Sequence, residues 1–488
     1  MTKDEVLRQV EEVIAAGPYS GEWQSLCGHK TPGWYERAKF GVFIHWGAYS
    51  VPAFGNEWYP RNMYVRGSEE YEHHRATYGD QKDFGYKDFI KMFRGERFDA
   101  GEWMSLFREA GAKYVMPVAE HHDGFQMYES SLSKWNAKNM GPCRDVIGEL
   151  KNAADREGIA FCVSNHRAEH FWFFNEGTKY ESDVSGRAFN DFYCDPEIGG
   201  GEITHDIYAA PPSKSHCEDW LARNCELVDK YRPKVVWFDW WIHNAGFKPY
   251  LKKFAAYYYN RAAAWGEEVA INYKYRAFPP GAGIFDVERG QLAGIRPLFW
   301  QTDTSTARNS WCYTENNTFK SPEELTRDLV DIVSKNGCLL LNVGPKPDGT
   351  ITDEDKGILL SIGKWLAVNG EAVYGATHWE RFGEGPTNIA EGGFTDGAAL
   401  EYTEQDFRFT YRGGVIYAFA MKYPEDGRFT VKSFGRGMRE AGDFHVREAK
   451  VLGYGYAVSY SRDESGMHFT VGGTIKTDYP VCLKIDID

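Results

Sequence analysis

Short apolar runs alternate with amphipathic stretches over the first three quarters of the chain. Continuous apolar runs are typical of parallel strands that are covered on both faces. Eight predicted strands lie at 40–47, 113–119, 159–164, 235–239, 268–274, 284–287, 298–303 and 338–343. Apolar residues at helical spacing predict helices at 4–16, 86–94, 99–111, 144–157, 215–231, 248–265, 321–335 and 353–369. The alternation predicts an α/β fold.

Polar side chains gather at the C-terminal ends of the predicted strands. They are His45, His121, His122, His166, Asp239, Lys274, Glu288, Asp303 and Asn342. A closed barrel brings all such ends to one face. The sequence therefore predicts a (β/α)8 TIM-like barrel, irregular because the connections on either side of the sixth strand are too short for full helices. An open doubly wound sheet is the alternative, but no glycine-rich phosphate loop follows the first strand.

The pattern changes at about residue 376. Short alternating segments with glycine turns between them predict an antiparallel β-sandwich. They lie at 407–412, 415–422, 428–432, 448–453, 467–471 and 480–487. We therefore expect two domains, a catalytic barrel at 1–375 and a C-terminal β-sandwich at 376–488. The polar segment 171–213 shows no periodicity and is predicted to be an irregular insertion.

Charge and composition narrow the classes of partner. The 488 residues carry a net charge of −14, which argues against nucleic acid and anionic membranes as partners. The first residues lack the apolar core of a signal peptide, so a cytoplasmic protein is expected. Nine cysteines are scattered without a Cys-x-x-Cys pair, which fits reduced thiols. Aromatic residues make up 16% of the chain, a share that suits stacking on carbohydrate as well as a large core.

Asp239 is the leading catalytic candidate. It ends a predicted strand among tryptophans, where an ionised carboxylate needs hydrogen bonds or a cationic partner. A helix-capping or loop role is the alternative. If the substrate is a carbohydrate, as the share of aromatic residues allows, hydrolysis of its glycosidic bond needs a second carboxyl group beside Asp239. The candidates for it are Glu57, Glu120, Asp123, Glu169, Glu288 and Asp303.

The histidines at the strand ends suit either a sugar or a metal ion. Adjacent residues on a strand point to opposite sides, so His121 and His122 are not expected to share a metal. No His-Glu-x-x-His spacing occurs, and we expect neither a metal nor another cofactor. Histidines that line a polar pocket can instead hold sugar hydroxyls, while aromatic rings cover an apolar edge. A sugar pocket is therefore predicted.

Five stretches carry a resemblance to a known family. They are 34–52, 56–59, 119–125, 236–239 and 337–345, with Phe40 to His45, Glu57-Trp58, His121-His122, Asp239 and Asn342 within them. In this order, over about 310 residues, the chain resembles the α-L-fucosidases of glycoside hydrolase family 29. The resemblance implies a (β/α)8-like catalytic domain, a C-terminal β-sandwich and a metal-free retaining mechanism.

The resemblance also implies roles for single residues. Asp239 matches the catalytic nucleophile, and Glu288 is the choice for the acid/base, with a loop salt bridge to Arg289 as its alternative. The positions that match fucose-binding residues are His45, Glu57, Trp58, His121, His122 and Trp237. Two departures affect substrate preference. Lys274 stands where many members have arginine, and His166 stands where many have tyrosine, so both are expected to contact the sugar.

The sequence thus predicts a retaining, exo-acting α-L-fucosidase. Its substrate would be a fucosylated oligosaccharide or glycoconjugate, hydrolysed in two steps through a covalent fucosyl-enzyme. An α-L-galactosidase-like glycosidase, a non-catalytic fucose-binding protein and a metal-dependent hydrolase are the alternatives. No nucleic-acid or membrane partner is expected, and the sequence leaves room for a homo-oligomer.

Overall fold

The computed structural model describes residues 1–194, 211–397, 400–438 and 443–488. The predicted strands of the first region are present, and the third is split in two at Cys162. They are β1 (Phe40–Ile44), β2 (Tyr114–Glu120), β3 (Ala160–Phe161), β4 (Val163–Asn165), β5 (Val235–Phe238), β6 (Ala270–Tyr273), β7 (Ile284–Glu288), β8 (Trp300–Ser305) and β9 (Gly337–Val343).

These strands form one closed parallel barrel. Pairing runs from β1 through β2, β4, β5, β6, β7 and β8 to β9, and β9 pairs again with β1. Val42 of β1 lies in register between Val115 of β2 and Leu341 of β9. The short β3 extends the pairing at the N-terminal half of β2. Closure of the ring confirms the predicted barrel.

Helices cover the outside of this barrel. The α-helices are α1 (Lys3–Ala16), α2 (Trp23–Leu26), α3 (Gly33–Ala38), α4 (Tyr59–Asn62), α5 (Glu69–Thr77), α6 (Tyr86–Met92), α7 (Ala100–Glu109), α8 (Val146–Glu157), α9 (His170–Phe173), α10 (Asn190–Tyr193), α11 (Lys214–Tyr231), α12 (Lys248–Trp265), α13 (Pro322–Ser334) and α14 (Asp353–Asn369). Residues 274–283 and 289–299 are all described and contain no helix, as predicted for the two short connections.

The predicted insertion is more ordered than expected in its first part. It contains most of α9, a 3-10 turn at Asn175–Lys179 and α10, whereas residues 195–210 lie outside the described part. The aromatic run 171–174 is buried, and the Phe173 ring centroid lies 5.5 Å from that of Trp58. The prediction of a wholly irregular segment is therefore wrong here. Helices of about one turn are too short to show a periodic pattern.

The C-terminal region is a sandwich of two antiparallel sheets. Its strands are β10 (Thr377–Glu384), β11 (Phe407–Arg412), β12 (Val415–Ala420), β13 (Arg428–Val431), β14 (Val446–Val451), β15 (Val458–Asp463), β16 (Gly466–Val471) and β17 (Val481–Ile487). One sheet has the order β10-β11-β12-β17-β14, and the other has β13-β16-β15. The sequence did not predict β10 and β15, because both are largely exposed and lack a clear apolar face.

The segment between β10 and β11 returns to the barrel. Gln291, just after β7, forms backbone bridges with Glu391 and Gly392. The backbone N–H of Phe394 donates a hydrogen bond of 2.8 Å to the carbonyl oxygen of Glu288, the last residue of β7. Part of the C-terminal region therefore lies against the C-terminal ends of the barrel strands.

The lower part of the barrel lumen is filled by side chains. The hydroxyl groups of Tyr35 and Tyr114 both donate to Gln301 Oε1, the latter at 2.9 Å. The amide of Gln301 donates to Asp286 Oδ1 at 2.7 Å. This network fills the lumen below the strand ends, so the space for a ligand lies towards the C-terminal face.

Two properties of the whole fold concern its surroundings. Among the described residues, no helix is both long and apolar enough to pass through a bilayer. All nine cysteines belong to the described part of the chain, each is a free thiol, and six are buried. The disulfide bond therefore plays no part in holding this fold together.

Candidate active site

One cavity of about 230 Å³ opens at the C-terminal face of the barrel. All ten residues that the sequence analysis proposes for the site line it, namely His45, Glu57, Trp58, His121, His122, His166, Trp237, Asp239, Lys274 and Glu288. The cavity is also lined by Asn56, Trp240, Tyr275, Asp303, Trp311 and Phe394. Strand ends that are far apart in sequence thus converge on one pocket, as a closed barrel requires.

One cation, Lys274, contacts three of the four carboxyl groups that line this pocket. Lys274 Nζ lies 2.6 Å from Glu288 Oε2, 3.7 Å from Asp239 Oδ1 and 3.5 Å from Asp303 Oδ2. Its ammonium group also lies 4.6 Å from the centroid of the Trp237 ring, within cation–π range. Lys274 is buried, and its carboxylate neighbours hold its pKa well above the usual value, so it remains charged.

The two candidate catalytic carboxyl groups differ in acidity. Burial raises the pKa of Glu288 to about 7, against the opposing effect of Lys274. Burial also disfavours the ionised form of Asp239, but Lys274 and His166 outweigh it and hold the pKa of Asp239 well below its usual range. Near neutral pH, Asp239 is therefore an anion, and Glu288 can hold a proton. Such divergent acidities within one site are typical of an acid paired with a nucleophile.

Asp303 is a third carboxyl group in the pocket wall. Burial, together with the nearby Asp286, raises the pKa of Asp303 well above its usual range. Asp286, which accepts the Gln301 amide, also has a raised pKa because of burial. One lysine cannot balance four buried carboxylates, so the cluster retains protons.

Two histidines hold Asp239 from the side opposite Lys274. His166 Nδ1 lies 3.1 Å from Asp239 Oδ2, and its Nε2 lies 3.0 Å from Ser164 Oγ. His122 Nε2 lies 3.5 Å from the same Asp239 oxygen, while its Nδ1 contacts the carbonyl oxygen of His166 at 3.0 Å. The backbone N–H of Trp240 donates to Asp239 Oδ1 at 2.8 Å. These contacts fix the orientation of the carboxylate.

The adjacent histidines do not point apart. The ring centroids of His121 and His122 are 4.3 Å apart and both rings line the pocket, so the expected opposite orientation is wrong. The physical reason is that β2 ends at Glu120, and both histidines lie in the turn that follows. The two histidines nevertheless belong to different sets of possible metal ligands among the described residues, as expected. Burial lowers the pKa of His121 well below its usual value and that of His122 to about 3, so both are neutral.

The histidine cluster has the spacing of a metal site as well as that of a sugar site. Among the described residues, His45, His121 and His166 form one set, and His122, His166 and Asp239 form another, with ligand atoms within 4.8 Å of one another. Neutral imidazoles can bind a metal or hydrogen-bond a hydroxyl. His45 Nδ1 is hydrogen-bonded at 2.7 Å to Asn342 Oδ1, which fixes that ring.

The wall opposite the histidines is formed by two loops. Glu57 Oε2 accepts a hydrogen bond of 3.0 Å from the backbone N–H of Trp311 and one of 3.4 Å from Ser310 Oγ. Burial raises the pKa of Glu57. The Trp58 ring packs 5.3 Å from His122, centroid to centroid. These contacts hold Glu57 and Trp58 in place in the wall of the cavity.

Three of the candidate carboxyl groups are not part of this pocket. Glu120 is fully buried and paired with Arg167 at 2.8 Å and Arg223 at 3.0 Å. Asp123 accepts the Tyr86 hydroxyl at 2.6 Å, and burial raises its pKa to about 7. Glu169 lies behind His122, 3.7 Å from Nδ1, and burial raises its pKa well above the usual range. None of the three lines the cavity.

Sequence reasoning missed several residues that line the pocket. Trp311 lies in the long loop after β8, and Phe394 lies in the segment between β10 and β11. Neither residue follows a strand end of the barrel, so the strand-end pattern could not point to them. Tyr275 does follow Lys274 directly at a strand end, and that position was the available signal for it.

Comparison with known proteins agrees with this architecture. Residues 6–371 match the sequence profile of the family described as alpha-L-fucosidase. Human tissue alpha-L-fucosidase is 30% identical over 440 residues, which cover 88% of this chain and 84% of the human protein. The rat tissue enzyme is 29% identical over 443 residues, covering 86% and 82% of the two chains.

Solved structures point to the same family. The Thermotoga maritima alpha-fucosidase in complex with a mechanism-based inhibitor matches with a TM-score of 0.74 and 28% identity, over 96% of this chain and 100% of the other. The structure of the same protein in complex with fucose matches with a TM-score of 0.73 over the same shares. From its fold, its pocket and these matches, the chain belongs to the alpha-L-fucosidase family of glycoside hydrolases.

Proposed function

We propose that the enzyme releases terminal α-L-fucose with retention of the anomeric configuration. In the first step, the Asp239 carboxylate attacks the anomeric carbon while the proton of Glu288 passes to the leaving oxygen, and the glycosidic bond breaks. In the second step, a water molecule gives a proton to Glu288, and its oxygen displaces Asp239 from the anomeric carbon. The products are free fucose and the leaving alcohol.

The observation that carries this proposal is the shared contact with Lys274. Because its Nζ lies 3.7 Å from Asp239 Oδ1 and 2.6 Å from Glu288 Oε2, these two oxygens are at most about 6.3 Å apart. Carboxyl pairs about 5–5.5 Å apart are typical of retaining glycosidases, and pairs about 6.5–9.5 Å apart are typical of inverting ones. The upper bound for these two oxygens is therefore compatible with the separation that is typical of retaining enzymes.

The acidities support the same assignment of roles. A nucleophile must be ionised, and the low pKa of Asp239 provides this. A general acid must hold a proton near the working pH, and the pKa of Glu288 at about 7 permits it to do so. Lys274 lowers both pKa values, so a cation between the two groups keeps Asp239 charged without depriving Glu288 of its proton.

The pocket wall supports binding of one terminal sugar. His45, His121 and Glu57 present neutral nitrogen atoms and a carboxyl oxygen to the cavity, which suit the hydroxyl groups of a fucose ring. Trp58 and Trp237 present ring faces that suit its apolar edge. With both its nitrogen atoms engaged, His166 orients Asp239. The small volume of the cavity, about 230 Å³, supports exo-action, since it suits one sugar ring at the end of a substrate chain.

Metal-dependent hydrolysis is the second candidate, because two sets of buried ligand atoms have suitable spacing. In that case, His45, His121 and His166 would hold the ion, and His166 would have to exchange one of its two present hydrogen bonds for it. The ion would polarise a water molecule or a sugar oxygen. The two candidates differ in their response to a chelator and in the need for Asp239 as a nucleophile.

The first experiment is hydrolysis of 4-nitrophenyl α-L-fucoside, with and without a chelator, by the wild type and by Asp239→Ala. We expect activity in the wild type, unchanged by the chelator, and a loss of about 10⁴-fold in the variant because the nucleophile is absent. Following the reaction by proton NMR should show the α-anomer of fucose as the first product.

Each contrary outcome has a defined meaning. First formation of the β-anomer would contradict retention, and loss of activity with the chelator would favour the metal-dependent candidate. Faster hydrolysis of the matching α-L-galactoside would identify α-L-galactose as the preferred sugar. That sugar differs from fucose only by one additional hydroxyl group, on C6. Circular dichroism of Asp239→Ala checks that the fold is retained.

A further inference from the structure

Two exposed aromatic residues stand at the mouth of the catalytic cavity. Most of the aromatic side chains that line it are buried, whereas the side chains of Tyr275 and Phe394 are 38% and 62% exposed. Large exposed apolar side chains that border a pocket commonly mark a place where a ligand is bound.

Both residues also adopt an uncommon backbone conformation. The φ angle is +53° at Tyr275 and +57° at Phe394, in the left-handed region that bulky side chains rarely adopt. Such a conformation is strained, and it persists only where the surrounding structure imposes it. Two strained aromatic residues at one cavity mouth suggest that their position has a function.

The loop that carries Phe394 is firmly attached next to Glu288. Phe394 N–H donates to the carbonyl oxygen of Glu288 at 2.8 Å, and Thr395 N–H donates to that of Arg289 at 2.8 Å. The Asp396 carboxylate accepts from Thr304 Oγ1 at 2.6 Å and pairs with Arg289 at 3.3 Å. Phe394 is therefore held in place beside the proposed acid/base.

Tyr275 reaches the same side of the pocket from another strand. It directly follows Lys274, whose Nζ contacts Glu288 Oε2 at 2.6 Å. After burial, the negative charge of Glu288 is the largest cause of the raised pKa of Tyr275. The Tyr275 ring also packs 5.7 Å from His243, centroid to centroid. Two separate segments thus place an aromatic ring beside Glu288.

The position relative to Glu288 identifies what these rings would contact. A general acid lies next to the leaving oxygen. Residues between the general acid and the cavity mouth therefore face the leaving group and not the fucose. An aromatic face suits the C–H face of a pyranose ring, which gives up little hydration on stacking. We propose that Tyr275 and Phe394 form a binding site for a sugar leaving group, which stacks on their rings.

This inference rests on the proposed function, since it takes Glu288 as the acid. It adds which two residues would contact a saccharide leaving group. It also assigns part of the substrate preference to a residue of the C-terminal region, because Phe394 follows β10 of the sandwich.

The test compares two leaving groups in the full-length enzyme. One substrate is α-L-fucosyl fluoride, whose leaving group is too small to reach the mouth. The other is the best substrate among fucosyl disaccharides with (1→2), (1→3), (1→4) and (1→6) linkages. The value of kcat/KM is measured for the wild type, Tyr275→Ala, Phe394→Ala and Phe394→Trp.

We expect each alanine variant to lose about fivefold to tenfold in kcat/KM on the disaccharide, as one stacked ring would provide. On the fluoride, each alanine variant should stay within about twofold of wild type. Phe394→Trp should keep the disaccharide activity that Phe394→Ala loses, because tryptophan also offers a flat ring. The matched control is Tyr460→Ala, which removes a 41% exposed ring in β15, away from the cavity, and should change neither rate.

Other results would overturn the inference in distinguishable ways. Equal losses on both substrates would show that the rings support the pocket and not the leaving group. Unchanged rates on both, or a wild type that cleaves the fluoride but no disaccharide, would show that no sugar binds there. A wild type inactive on the fluoride would instead contradict the proposed function.

Discussion

Two largely buried clusters of charged residues lie on the same barrel and differ in the number of cations for each carboxyl group. The Lys274 cluster consists of Lys274 with Asp239, Glu288 and Asp303. The Arg167 cluster consists of Arg167 and Arg223 with Glu120 and Asp219, at distances of 2.7–3.0 Å. The Lys274 cluster has one cation for three carboxyl groups and is therefore unbalanced. The Arg167 cluster has two cations for two carboxyl groups and is balanced.

The difference in balance has a direct consequence for protons. In the Arg167 cluster, burial opposes ionisation of Asp219, but the two arginines outweigh it and lower its pKa, so Asp219 is charged. In the Lys274 cluster, burial raises the pKa of Glu288 to about 7 and that of Asp303 well above its usual range. A balanced cluster holds the fold together, whereas an unbalanced one keeps protons that a reaction can use.

The largest expected effect comes from removing the acid of the unbalanced cluster. Glu288→Ala should lower kcat/KM on a fucosyl disaccharide by about 10²–10⁴-fold, because proton donation to the leaving oxygen is lost. On α-L-fucosyl fluoride, which needs no proton donor, the loss should be much smaller. Added azide should restore turnover by attacking the fucosyl-enzyme in place of activated water.

The control for this variant is Glu288→Gln, which keeps the size of the side chain and its contact with Lys274 but cannot donate an acidic proton. It should behave like Glu288→Ala on the disaccharide. If either variant keeps full activity on natural linkages, Glu288 is not the acid/base, and the contact with Lys274 is structural.

The next effect concerns the pH dependence of kcat/KM. In the wild type, kcat/KM should fall about tenfold for each pH unit above about 7, because Glu288 loses its proton. Lys274 lowers the pKa of Glu288 and that of Asp239. Lys274→Met should therefore move the alkaline limb of the profile to higher pH by about one unit and bring an acidic limb into the measurable range.

Arg223→Met provides the matched change in the balanced cluster. It removes a buried cation that contacts Glu120 at 3.0 Å and Asp219 at 2.9 Å. We expect a loss of about 3 kcal/mol in the free energy of unfolding, measured with urea, and no shift of the pH profile. A shifted profile in Arg223→Met, or an unshifted one in Lys274→Met, would contradict the contrast between the clusters.

The smallest effect is expected at Asp303. Burial raises its pKa well above the usual range, which favours the protonated form, and Asn is a close match to that form in shape. Asp303→Asn should keep kcat/KM within about threefold of wild type at pH 7, with an unchanged profile. A loss approaching that of Glu288→Ala would mean that Asp303 is ionised and takes part in the reaction.

The sequence allowed the barrel and much of its pocket to be predicted for a simple physical reason. A strand that is covered on both faces must be apolar throughout, so the eight runs stand out, and polar residues directly after them must meet at one face. Asp239, Lys274 and Glu288 were found in this way and meet in the structure.

The direction of single side chains could not be predicted in the same way. Glu120 and His121 are adjacent at the end of β2, yet one pairs with arginines and the other lines the cavity. Trp311 and Phe394 enter the pocket from loops whose course depends on tertiary contacts, such as the hydrogen bond from Phe394 N–H to Glu288. Local sequence patterns carry no information about such contacts.

The loop between β10 and β11 also bears on how enzymes of this architecture could diversify. A gene rearrangement that exchanged the region after about residue 376 would replace more than a supporting module. It would bring in a different residue at the position of Phe394, and with it a different mouth to an unchanged set of catalytic groups. Recombination at this junction would therefore offer new enzymes with altered selectivity in a single step, without a mutation in the barrel.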